Sequence, residues 1–184
     1  MAEIRLLTQV DKADLLRVAT GYSADSKYVV SYADDVDTVS FNLVLTPLAT
    51  PYTGSPSTFD QETLDFYERA VQTGWSFGAY DAGTCIGVII AEPQSWNKIV
   101  MVWEFHVAEA YRRQGIGRRL MKRVLERARE EGMRSVVCET QSTNTGAIQA
   151  YRRLGFRMEA IDISLYSNED YPDKEVAVFM KHRL

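Results

Sequence analysis

The chain has 184 residues, 46% of them hydrophobic and 25% charged, with a formal net charge of −4. That length builds one domain with a sizeable core, expected to span residues 1–184. The balance excludes a disordered chain, and the acidic total argues against general binding to nucleic acid or an anionic membrane.

Cys85 and Cys138 stand in apolar runs without metal-ligand spacing and read as buried, reduced thiols. With two histidines, His106 and His182, no metal site is expected. The N-terminal segment carries Glu3, Asp11 and Asp14 and lacks a signal-peptide core. No apolar run approaches the ~18 residues of a membrane span. The expectation is a soluble, cytoplasmic protein.

In chain order, 3–8 alternates as a first strand, and 11–22 reads as a short helix with Asp11 as N-cap and Gly21 as stop. Residues 23–37 gather Asp25, Asp34, Asp35 and Asp37 and read as a helix fragment and loop. Residues 38–48 are strand-like, and 49–57, rich in Pro, Gly and Ser, read as an internal loop. A helix follows over 57–74, with capping-box spacing at Thr58 and Gln61, an apolar stripe of Leu64, Tyr67 and Val71, and Gly74 at its end.

Residues 75–96 predict two strands joined by a hairpin at Asp81-Ala82-Gly83. A strand over 98–107 precedes a helix from Gly115 to Glu131, with Ile116, Leu120, Val124, Leu125 and Ala128 inward and Gly132 closing it. Then come a strand at 134–140, a helix over 143–156 ended by Gly155, and closing strands at 157–167 and 174–184. The fold class is α+β (mixed α/β), with a mixed sheet.

Arg112, Arg113, Arg118 and Arg119 crowd a bare glycine turn at the start of a helix. Helix N-termini expose unpaired N–H groups and attract anions. Gly115 and Gly117 would let the backbone approach a bulky anion such as a pyrophosphate, and arginines add charge and paired donors. A plain strand-to-helix turn with solvated arginines would look the same on these residues alone.

The stretch Arg112-Arg113-Gln114-Gly115-Ile116-Gly117, after a strand, resembles the acetyl-coenzyme-A motif of the GNAT superfamily of N-acyltransferases. The second half of that pattern follows at the proper distance, with Asn144, Ala147, Tyr151 and Gly155-Phe156. Within the superfamily, Glu139-Thr140-Gln141, Ile161-Asp162 and Tyr166 look like the streptothricin acetyltransferase subgroup. That subgroup usually has Glu-Asp-Ile-Ala-Val before the turn. Here the run is Trp103-Glu104-Phe105-His106-Val107. If the missing acid contacts the antibiotic, the departure puts streptothricin itself in question.

The resemblance implies a mixed, mostly antiparallel sheet with flanking helices and splayed central strands, and acetyl-coenzyme A as co-substrate without a metal. It implies that main-chain groups of Phe105, His106 and Val107 hold the acetyl and pantetheine part. The turn from Arg112 to Arg118 would take the pyrophosphate, and Asn144 and Ala147 would border the pantetheine arm. Asn144 also suits a helix N-cap.

Acetyl transfer to an amine requires a deprotonated amine, with a free pKa near about 10, and a leaving thiolate, with a pKa of about 8.5, that gains from a proton donor. Period two puts Glu104 and His106 on one strand face and Trp103, Phe105 and Val107 on the other. Glu104 is the base candidate, directly or through a water. Histidine is a residue type suited to proton transfer near neutral pH, but His106 equally suits a structural role in a strand. Tyr151 reads as a core residue on spacing; the resemblance makes it the thiolate's proton donor. Trp103, Glu139, Asp162 and Tyr166 are candidates for a cationic acceptor, with Asp34, Asp35, Asp37, Trp75 and Trp96 as further lining.

The expected partner is a small cationic amine, first a streptothricin-like antibiotic. An open groove would instead mean acetylation of protein N-termini or lysines. Indifference to loss of Tyr151 or Glu104 would mean a coenzyme-A-binding sensor. Strand edges are compatible with a homodimer.

Overall fold

The computed structural model describes residues 2–184. In chain order the elements are β1 (Glu3–Leu6), α1 (Lys12–Val18), β2 (Tyr22–Asp34), β3 (Val39–Gly54), α2 (Gln61–Gln72), β4 (Phe77–Asp81), β5 (Thr84–Gln94), β6 (Ile99–Val107), a 3-10 turn (Glu109–Tyr111), α3 (Ile116–Glu130), β7 (Ser135–Gln141), α4 (Thr145–Arg153), β8 (Arg157–Asp162) and β9 (Ala177–Arg183). They form two compact units. One holds the chain up to Gly21, Ser55–Cys138 and Lys181–Leu184; the other holds Tyr22–Gly54 and Glu139–Met180.

The first unit is built on strands in the order β1-β4-β5-β6-β7, and the order continues β7-β9-β8 as β7 and β9 pass into the second. The β1/β4, β4/β5 and β5/β6 pairs are antiparallel, whereas β6 and β7 pair in parallel over Ile99–Val102 and Ser135–Cys138. The mixed, mostly antiparallel sheet expected from the sequence is therefore present.

On one face, Leu15 and Val18 of α1 and Tyr67, Ala70 and Val71 of α2 pack with Val88 and Ile90 of β5. α3 buries Ile116, Leu120, Met121, Val124 and Ala128. Each fully buried Val, Leu, Ile or Met side chain among these contributes roughly 1.5–3 kcal/mol of transfer free energy. The Asp81–Thr84 pair closes the β4/β5 hairpin, with Ala82 and Gly83 both at positive φ, as a two-residue turn that matches strand twist requires.

In the second unit β2 and β3 form a two-stranded antiparallel ribbon. Two expectations fail here. Residues 23–37, read as helix fragment and loop, lie mostly in the 13-residue strand β2. The run Tyr28-Val29-Val30-Ser31-Tyr32 is β-branched and aromatic, and three of the aspartates that obscured it, Asp34, Asp35 and Asp37, belong to the hairpin end, where the Asp35 N–H donates to the Thr38 carbonyl at 2.8 Å. The loop expected at 49–57 is strand as far as Gly54. Pro51 is tolerated because the register slips between Ala24 and Ser26, so this stretch of β3 carries extra residues.

Smaller corrections concern boundaries. The N-cap of α2 is Asp60, whose carboxylate accepts the Thr63 N–H at 2.8 Å, and not Thr58. The strand expected over 157–167 ends at Asp162, which accepts the Ser164 N–H at 2.9 Å and turns the chain.

Candidate active site

Two features of the first unit stand at the end of β6. The first is the arginine–glycine turn. α3 has Gly115 as N-cap at φ 80° and no side-chain cap, so the N–H groups of its first turn are left for an external acceptor. A Cβ built on Gly115 would meet nothing within 4 Å, so its glycine serves the left-handed backbone and leaves the approach clear. Arg113 is also at positive φ, 61°.

Gly117 has a different reason. A Cβ there would come 3.2 Å from the Phe105 ring, so the missing side chain lets α3 lie against β6. That is a packing role where the sequence suggested ligand approach. Arg112 is tied down: its guanidinium donates to the Val107 carbonyl at 3.0 Å and the Thr20 hydroxyl at 3.1 Å. Gln114 donates its amide to the Ala110 carbonyl at 3.0 Å. These bonds brace the turn, while Arg113 and Arg118 lie exposed beside it.

The second feature is a side-chain chain running from core to surface. Tyr67, buried on α2, donates its hydroxyl to one oxygen of Glu104, and the other oxygen meets Nε2 of His106. Burial and the Glu104 carboxylate push the Tyr67 hydroxyl's ionisation far up, so it remains a donor. The side chains of Glu104 and His106 are 14% and 26% exposed, so the imidazole is the outer member.

Glu104 and His106 share a face, as the period-two reading requires. Trp103 does not sit with Phe105 and Val107. Ile90 pairs with Glu104 but Ala91 with Val102, so Trp103 is the extra residue of a β-bulge. The bulge turns its ring toward α2, edge-on to Phe66 at 5.1 Å, and its indole N–H donates to Glu92 at 3.3 Å.

The second unit carries its own acid–tyrosine cluster. Tyr166 donates its hydroxyl to Glu139, so two residues singled out for an acceptor are brought together. Burial and that carboxylate push the Tyr166 ionisation far up. Glu175 accepts from Tyr52 at 3.1 Å and Thr143 at 2.8 Å, and the Thr143 hydroxyl lies 2.6 Å from that of Tyr22. Glu175 and Tyr22 are close enough to act on the ionisation of Tyr166.

Asn144 caps α4, its side chain accepting the Ala147 N–H at 3.1 Å. Tyr151 is buried, its ring 5.7 Å from that of Phe156.

Several candidates are placed elsewhere. Asp162 is engaged in its own turn. Trp75 is buried beneath the Arg127 guanidinium at 5.0 Å, and Trp96 is exposed in the turn between β5 and β6. Asp34, Asp35 and Asp37 lie at the β2/β3 hairpin end. Among the described residues no group of three or more His, Cys, Asp or Glu side chains could hold a metal, and no helix is long and apolar enough to cross a membrane.

Sequence reasoning missed Tyr67, Tyr22, Tyr52, Thr143 and Glu175. For Tyr67 a signal existed: a tyrosine in an apolar helix stripe needs a partner for its hydroxyl.

The model of the acetyltransferase (GNAT) family matches residues 44–156. Streptothricin acetyltransferase A of Bacillus subtilis (strain 168) is 32% identical over 59% of this chain and 61% of its own length. Streptothricin acetyltransferase of Streptomyces lavendulae is 36% identical over 46% of this chain and 44% of its own. The match thus spans less than two thirds of either relative. The crystal structure of a nourseothricin acetyltransferase superposes with a TM-score of 0.78 at 27% identity, covering 99% of this chain and 98% of that one.

Proposed function

Since the chain belongs to the acetyltransferase (GNAT) family, we propose that it transfers an acetyl group from acetyl-coenzyme A to a primary amine of a small cationic acceptor, with streptothricin-like antibiotics first. The uncapped start of α3, with clear space at Gly115 and exposed Arg113 and Arg118, suits the pyrophosphate of coenzyme A. Phe105, His106 and Val107 would offer main-chain groups to the acetyl and pantetheine part, and Asn144 and Ala147 would border the arm.

The observation that carries the acceptor class is the acid–tyrosine cluster of the second unit. Glu139 and Glu175 supply negative charge, and Tyr22, Tyr52 and Tyr166 supply aromatic rings and hydroxyl groups. Such a setting favours an ammonium group over a neutral or anionic one.

The transfer itself requires no enzyme-bound acyl intermediate. Cys85 and Cys138 are both buried, and burial raises the Cys85 thiol's pKa, which opposes a nucleophilic role. The amine, deprotonated with the help of Glu104, attacks the thioester directly. Tyr151 supplies the proton that the departing thiolate takes up.

The test is release of coenzyme-A thiol from acetyl-coenzyme A at neutral pH, with streptothricin as acceptor and an acceptor-free blank. Acceptor-dependent release well above the blank is expected. Release equal to the blank with streptothricin, yet rapid with a peptide N-terminus or lysine, would move the acceptor to proteins.

A further inference from the structure

Glu104 and His106 share one face of the sheet, joined to Tyr67 by hydrogen bonds. Both oxygens of Glu104 already receive donors, one from the Tyr67 hydroxyl and one from His106 Nε2. A carboxylate has only lone pairs to offer, so Nε2 must carry the hydrogen. In the neutral imidazole Nδ1 is then the bare lone pair. Among the described residues none hydrogen-bonds to Nδ1.

Exposure follows the same order. Tyr67 is 7% exposed, the Glu104 side chain 14% and the His106 side chain 26%. An approaching amine meets the imidazole before the carboxylate. We propose that His106 Nδ1 is the proton acceptor for the attacking amine, with Glu104 and Tyr67 as positioning residues that fix the tautomer and hold the counter-charge. This rests on the acetyltransferase reading above.

The balance is simple. The acceptor ammonium gives one proton to Nδ1, and the imidazolium is neutralised by Glu104. The free amine forms a C–N bond to the acetyl carbon while the C–S bond breaks. Tyr151 gives its hydroxyl proton to the departing thiolate, which leaves as thiol; the second amine proton, released as the amide forms, restores the Tyr151 hydroxyl by way of solvent, and His106 returns its proton to solvent.

The other groups packed on this face do not compete for the proton. Val88 and Ile90 stand opposite His106 and Glu104 in the β5 ladder. Cys85 and Tyr80 belong to the same core region, and burial raises both, so both are neutral near pH 7. Tyr67, from α2, is held protonated.

The experiment has an arm that needs no acceptor. In ¹⁵N-histidine-labelled full-length protein, the neutral His106 ring should show hydrogen on Nε2 and a bare Nδ1. In Glu104→Gln and Tyr67→Phe that preference should weaken. A neutral ring with hydrogen on Nδ1 would overturn the proposal whatever the acceptor.

The kinetic arm uses any amine the wild type acetylates. His106→Ala should lower kcat by roughly 10²–10⁴-fold, remove the acidic limb of the pH–rate profile and regain activity with added imidazole, while the KM for acetyl-coenzyme A holds. Should His106→Gln, a second replacement, keep both rate and limb, His106 is not the acceptor. A wild type that acetylates none of the amines would instead sink the acetyltransferase reading, while the labelled ring still reports on the tautomer.

Discussion

The turn before α3 and the carboxylate clusters attract opposite charges by different means. The turn does so mainly with backbone: uncapped amides, a left-handed Gly115 and a braced Arg112, contributed by adjacent residues. The clusters do so with side chains from distant parts of the chain. Tyr67 reaches Glu104 across 37 positions, and Tyr52 reaches Glu175 across 123. Backbone recognition suits an invariant pyrophosphate, whereas side-chain constellations can be exchanged one residue at a time to suit different amines. On the proposed function, that contrast lets a chain keep the turn for the coenzyme while the side chains that face the acceptor change.

The sharpest way to break the contrast is Gly115→Asp. It forces a side chain onto a left-handed backbone and puts a carboxylate where the first-turn amides face outward. Acetyl-coenzyme A affinity should fall on the order of 100-fold, equal to about 2.7 kcal/mol, with little change in acceptor affinity. Calorimetric titration with the coenzyme checks it, and unchanged affinity would remove the pyrophosphate from this turn.

Glu139→Gln and Glu175→Gln should do the reverse. Each keeps a hydrogen-bond acceptor for Tyr166 or for Tyr52 and Thr143 while deleting the charge. The acceptor's KM should rise about 10-fold, in line with the loss of one charge-assisted contact, and acetyl-coenzyme A binding should hold. Steady-state kinetics at fixed, saturating acetyl-coenzyme A separates the two. A KM equal to the wild type's in both variants would place the cationic subsite elsewhere.

The same contrast sets what could be read in advance. The helix start at Gly115, the caps Asp11 and Asn144 and the Ala82-Gly83 turn are local, and each was legible from a few neighbouring residues. β2 was not, because aspartates at one end of a β-branched run hid its strand character. The bulge at Trp103 left no local mark, so alternation carried Trp103 to the wrong face. Glu104 and His106 were visible as a pair on one face. Their order from core to surface, and the tyrosine that anchors them, required the packing of α2 on the sheet.

Asn144 tests where a local backbone role ends and a ligand role begins. Its side chain caps α4 through the Ala147 N–H, and losing such a cap costs about 1 kcal/mol. Asn144→Ala should therefore lower unfolding free energy by that amount, read by urea denaturation. Asn144→Ser and Asn144→Asp restore the cap but offer different groups to a bound coenzyme. If the cap is the whole role, both should recover stability and affinity for acetyl-coenzyme A together. If Asn144 also binds the pantetheine arm through its amide N–H, both variants should recover stability, while affinity stays several-fold weaker for Ser and weaker still for Asp. Stability and affinity moving independently across these three variants is the outcome that assigns Asn144 both roles; strict parallel movement leaves it a helix cap.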